Sequence, residues 1–158
     1  MNRTLNDLSL KTRTEIVALL NARLVDAIDL YNQTKQAHWN VKGANFIALH
    51  GLFDDVAGHV LDAVDTIAER AVQLGGLADG TSQTVAKKSS LKPWPVATKG
   101  SAAYVKNLSA VLAQFGKKVR ETIDAADKAG DKDTADLFTG VSRAVDKDLW
   151  FVESHLEK

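Results

Sequence analysis

Residues 35–76 read KQAHWNVKGANFIALHGLFDDVAGHVLDAVDTIAERAVQLGG. After the polar turn 40–45 (NVKGAN), with Gly43 as breaker, apolar residues recur at helical spacing: Phe46, Leu49, Phe53, Val56, Val60, Val64, Ile67 and Ala71. This period predicts a helix from 45 to 74, ended by Gly75-Gly76 as a left-handed C-terminal cap. Between Lys42 and Arg70 there is no Lys or Arg, yet the run holds Asp54, Asp55, Asp62, Asp65 and Glu69 with His50 and His59. Like charges one turn apart repel. A base-free acidic helix therefore calls for another source of positive charge, and a cation is the obvious candidate.

Helical geometry sorts these side chains. With His50 at zero and about 100° per residue, Asp54 falls near 40°, Asp65 near 60° and Glu69 near 100°, whereas His59 falls near 180°. His50/Asp54 and Asp65/Glu69 are thus two i,i+4 pairs on one flank. They are separated by about 22 Å along the helix at about 1.5 Å per residue, too far for one metal centre. Two copies of the helix packed antiparallel about a twofold axis would bring the His50/Asp54 end of one chain to the Asp65/Glu69 end of the other, giving two shared sites and none complete in a monomer. His38 lies on or beside the buried face of the preceding helix, in a row with Val17, Leu24 and Tyr31. Two imidazoles and three carboxylates suit iron, with zinc or manganese as competitors. No Glu-x-x-His occurs in the chain, which disfavours the usual di-iron centre inside one bundle.

The rest of the chain repeats the helical period. Thr12-Arg13-Thr14-Glu15 reads as a capping box, followed by Ile16, Leu19, Leu20, Leu24, Ala27, Ile28 and Tyr31, so a helix is expected over 12–39. Residues 1–11 are expected to be a short polar arm and 12–158 the folded domain. Residues 75–100 contain both prolines, Pro93 and Pro95, and form a long connection with a short helix near 81–88. Further helices are expected over 101–129, ended by Gly130, and over 133–156. Four long helices with one long middle crossover describe an all-α, ferritin-like four-helix bundle.

Composition sets the outer limits. The chain has 158 residues, 20 Lys+Arg against 20 Asp+Glu, and no cysteine. Zero formal charge is not that of a nucleic-acid-coating polycation, and the missing thiols exclude disulfides, Cys-ligated metals and thiol catalysis. With no apolar run of membrane length and no apolar signal core at the N-terminus, a soluble cytoplasmic protein is expected.

The spacing H-W-N, then L-H-x3-D, then D-x3-E-R in residues 35–76 resembles the signature of the Dps family, small dodecameric relatives of ferritin. The similarity extends through DKDTADLFTGVSRAVDKDLWFVES near the C-terminus. The resemblance implies that His38, His50 and Asp54 of one subunit, with Asp65 and Glu69 of its twofold mate, form a ferroxidase site. It implies oxidation of Fe(II), preferably by hydrogen peroxide, and storage of ferric mineral in a hollow dodecameric shell, which protects DNA. Trp39 resembles the family tryptophan near the site and would relay an electron or quench a radical. The alternative is a nucleoid-associated protein that compacts DNA, with incidental iron binding. The arm offers only Arg3 and Lys11 for phosphate contacts, so DNA is the weaker expectation.

Other polar residues have competing readings. Asp131, Asp133 and Asp136 either line an iron entry pore or are acids favoured at a helix N-terminus. Asp55 and Asp62 read as solvated or cavity-facing acids, and His59 and His155 as surface residues. Lys87, Lys88 and Lys92 read as a solvated loop cluster, and Trp94 and Trp150 as packing residues.

Overall fold

A computed structural model describes residues 1–156 of the chain; the last two residues of the expected 12–158 domain, 157–158, lie outside the described residues. The elements are α1 (Leu10–Asn40), α2 (Phe46–Gln73), α3 (Ser82–Lys88), α4 (Ser101–Lys128) and α5 (Lys132–Glu153). Among the described residues there is no strand, and no helix is long and apolar enough to cross a membrane. Helices α1 and α2 form one hairpin and α4 and α5 the other, with α3 packed on α1 inside the crossover. This is the expected ferritin-like bundle.

Each long helix buries one apolar stripe. From α1 come Ile16, Leu20, Leu24, Ala27 and Leu30, from α2 Leu49, Phe53, Val56, Val60 and Ile67. They meet Leu108, Leu112, Phe115 and Val119 of α4 and Phe138, Val141, Val145 and Val152 of α5 in one continuous core. Helix α1 starts earlier than its capping-box reading. Ser9 is the N-cap, its hydroxyl accepting from the Thr12 N–H at 3.1 Å, so Thr12 lies inside the helix. The exposed Leu10 and Lys11 add nothing to the apolar period, which hid the extra residues.

The helix stops follow the glycines. Gly75 at φ +84° donates to Val72 O and Gly76 to Ala71 O, a Schellman ending. Gly76 cannot be larger, because an added Cβ would lie 2.4 Å from Val17 Cγ1. The N-terminal arm folds back onto this corner. Asn2 N–H donates to Gly75 O at 2.6 Å, and the Arg13 guanidinium donates to Leu8 O and Leu74 O.

The crossover is fastened to α1 by acids. Asp26 is fully buried; it accepts from the Ser90 N–H at 2.8 Å and from its hydroxyl, and pairs with Arg23 at 2.8 Å. One turn on, Asp29 accepts from Ser89 Oγ and from Gln33 Nε2. Trp94 packs half-buried against Tyr104 with ring centroids 6.0 Å apart. Trp150 differs from its expected packing role: it is 60% exposed, its ring tilted against that of the neighbouring Phe151 with centroids 4.9 Å apart.

Removing one member of a buried, charge-assisted cluster leaves the others unpaired, at a cost of about 3–5 kcal/mol. Asp26→Ala should therefore lower the free energy of unfolding by about 3 kcal/mol in urea denaturation, and a loss under about 1 kcal/mol would show that Asp26 does not hold the crossover.

Candidate metal centre

The α1–α2 turn brings two of the five sequence-predicted residues into direct contact. His38 sits in the last turn of α1 and His50 in the second turn of α2, and their rings stack with centroids 3.7 Å apart. Each Nδ1 lies against the other residue's backbone carbonyl, His38 Nδ1 to His50 O at 2.7 Å and His50 Nδ1 to His38 O at 2.9 Å. A carbonyl only accepts, so both Nδ1 atoms carry the proton. In the neutral rings both Nε2 lone pairs are then free for a metal. His38 is buried and His50 half-buried.

Asp54, one turn after His50, extends the cluster. Its Oδ1 stands 3.9 Å from His38 Nε2. The same oxygen pairs with the Lys35 ammonium of α1 at 2.5 Å. Hydrogen bonding to Lys35 holds the Asp54 carboxyl below the usual carboxylate range; desolvation opposes it, and the nearby charges, that of Lys35 foremost, add to the lowering. The positive charge that the acidic run of α2 demands is thus supplied, for Asp54, from the neighbouring helix. Scanning α2 alone could not reveal this, because Lys35 lies 19 residues away. The Lys35 ammonium is 5.9 Å from the centre of the Trp39 ring, and that ring is exposed.

Asp65 and Glu69 lie on the same flank of α2, exposed, and far from His50 and Asp54. From Asp54 to Asp65 the helix rises by about 16 Å. Among the described residues, no three His, Asp or Glu side chains of the one chain converge to hold a metal ion. The flank that displays these acids is otherwise apolar or bare. Ile47 is 78% exposed, Val72 55% and Leu61 49%, and a Cβ built on Gly51 or Gly58 would touch nothing.

The three acids near the start of α5 separate. Asp131 is buried and acts as the N-cap, accepting from the Thr134 N–H at 3.0 Å and pairing with Arg70 at 2.8 Å. The Arg70 Nε donates to Thr134 Oγ1 at 3.0 Å. Of the two readings of Asp131, this geometry is that of the helix-terminal acid, with both oxygens engaged inside the chain. Asp133 and Asp136 are exposed. His59 is exposed, as expected, and its Nδ1 also lies 2.9 Å from Asp148 Oδ1 on α5. The partners are 89 residues apart, and no sequence spacing signals them.

Two long hairpins joined by a crossover, with imidazoles and carboxylates displayed along one helix, define a ferritin-like protein. The ferritin-like domain model matches residues 17–158. The chain is 42% identical to the DNA protection during starvation protein of Agrobacterium fabrum, covering 99% of this chain and 97% of that protein. It is 32% identical to the protein of the same name from Brevibacillus brevis, over 90% and 95% of the two chains. Among solved structures, DpsC from Streptomyces coelicolor superposes with a TM-score of 0.94 at 30% identity, covering 99% of this chain and 92% of that one. The chain belongs to the Dps family.

The Lys35 contact has a direct consequence. In Lys35→Ala the Asp54 carboxyl should titrate closer to the ordinary aspartate value, read by NMR of its side-chain carbon; an unmoved titration would mean that the ammonium does not neutralise it.

Proposed function

We propose that this protein is a ferroxidase and iron store that oxidises Fe(II), preferably with hydrogen peroxide, at sites shared between two subunits of a hollow homo-oligomer, a dodecamer by resemblance to the family. The observation that carries this reading is the unengaged pair of Nε2 lone pairs at the stacked His38 and His50, beside the ionised Asp54, with His50 and Asp54 on the same flank of α2 as Asp65 and Glu69. An antiparallel twofold pairing of α2 would cover Ile47, Leu61 and Val72. It would also place the carboxylates of one copy opposite the imidazoles of the other. Gly51 and Gly58 leave room for a close approach of the second helix.

Iron is the substrate here, and the donor set fits it. Imidazole nitrogen and carboxylate oxygen together bind Fe(II), and carboxylates favour the Fe(III) product. The mutual Nδ1–H···O=C bonds fix the tautomer and aim of both rings, as second partners of metal-ligating histidines do. Peroxide takes one electron from each of two Fe(II) ions; its O–O bond breaks and, with two protons, the oxygens leave as water. Asp65 and Glu69 would complete the ligands from the partner subunit. Trp39, exposed beside Lys35, would take up a stray radical. Zinc or manganese would compete for the same donors. Removing Fe(II) and peroxide together stops hydroxyl-radical production, which accounts chemically for DNA protection without a direct DNA contact.

The test loads Fe(II) anaerobically, adds peroxide and follows ferric absorbance. Wild type should oxidise iron rapidly with about one peroxide consumed per two irons. Asp65→Ala/Glu69→Ala should slow this by about tenfold or more, with the assembly unchanged by light scattering. Equal slow oxidation in both proteins would refute the shared site.

A cation bound at Asp54 must compete with the Lys35 ammonium for the charge of the carboxylate. Lys35→Ala should therefore tighten binding of Zn2+, used as a redox-silent probe, by several-fold in calorimetry, while unchanged or weaker binding would place the ion elsewhere or make Lys35 a support of the site.

A further inference from the structure

The face of α2 turned away from the stripe holds a second pair of metal-type donors. His59 of α2 and Asp148 of α5 are joined through Nδ1 and Oδ1 at 2.9 Å. Asp148 is 2% exposed, and its second oxygen, Oδ2, is buried with no hydrogen-bond partner. A buried carboxylate oxygen left without a partner loses its hydration with nothing in return, so native proteins rarely keep one without a water or an ion to meet it. Burial pushes the Asp148 carboxyl above the usual range, opposed by the His59 hydrogen bond and the His59 and Lys147 charges and reinforced by the charge of Asp55.

The pair is reached from solvent. Both residues line an open groove of about 610 Å³ between α2 and α5, where the exposed acids Asp62, Asp133 and Asp136 outnumber the bases Arg143 and Lys147. A groove of that sign concentrates cations.

We propose that His59 and Asp148 bind a divalent transition-metal ion, separate from the His50–Glu69 stripe, which takes the position of the proton between His59 Nδ1 and Asp148 Oδ1. Two donors at about 2.1 Å from one ion stand about 3.0–3.4 Å apart at tetrahedral or octahedral angles, so the observed 2.9 Å opens by only a few tenths of an ångström. The displaced proton moves to Nε2, on the solvent side of the ring. The ion gives Asp148 Oδ2 its missing partner, through two-oxygen coordination by the carboxylate. The pair supplies three donor atoms from two side chains, and groove water fills the remaining positions. Asp62, three residues beyond His59, lies one turn away as a further carboxylate. One imidazole with carboxylate and water suits zinc, cobalt or Fe(II) rather than calcium or magnesium.

The experiment uses Co2+ and the full-length protein in the Asp65→Ala/Glu69→Ala background, which weakens the stripe. Equilibrium dialysis and the visible Co2+ bands should show about one Co2+ per subunit that disappears on adding His59→Ala. Asp148→Asn should weaken this ion at least tenfold, and Ca2+ should not compete for it. His59→Gln keeps an amide donor for Asp148 but removes the imidazole, and it should lose the ion with helix content and assembly intact. A Co2+ count unchanged by both His59 substitutions would overturn the proposal, as would binding only at millimolar Co2+.

Discussion

Two imidazoles, each donating its Nδ1–H to the other residue's backbone carbonyl, fasten α1 to α2 at the point where the chain reverses. The His38 carbonyl lies in the last turn of α1, where backbone acceptors have no partner within the helix. His50 therefore completes α1, and His38 returns a bond to α2. This clasp fixes the register of the hairpin. The register brings Lys35 to Asp54 and leaves both Nε2 atoms unengaged.

The opposite end of α2 is tied down by a different device. Arg70, the base that ends the acidic run, is turned inward to Asp131 and Thr134 rather than toward Asp65 or Glu69. Both ends of α2 are thus anchored by polar groups to neighbouring helices, and its middle is held by apolar packing. Beyond His50 and Asp54, Asp65 and Glu69 of the outward flank make no ion pair with another helix among the described residues. A helix so arranged can present a surface to another molecule without risk to its own fold.

The bundle was legible in the sequence because its signals are local. The apolar period, the glycine stops at Gly75 and Gly130 and the long proline-bearing connection lie within one or two turns of what they control. The flank shared by His50, Asp54, Asp65 and Glu69 was legible for the same reason, since helical spacing fixes it. What escaped was non-local. Lys35 reaches Asp54 across the hairpin, Asp131 meets Arg70 over 61 residues, and His59 meets Asp148 over 89. The start of α1 escaped because Ser9 and the exposed residues after it interrupt the apolar pattern. The exposure of Trp150 escaped because a tryptophan at helical spacing looks the same whether its face is covered within the chain or not.

The Lys35 ammonium beside Asp54 also bears on the charge balance of α2. Carboxylates crowded on one flank repel one another when no counter-charge is near. A tethered cation borrowed from α1 neutralises part of that charge from the moment the chain folds. The folded chain thus carries its own counterion at Asp54 and does not wait for one from solution.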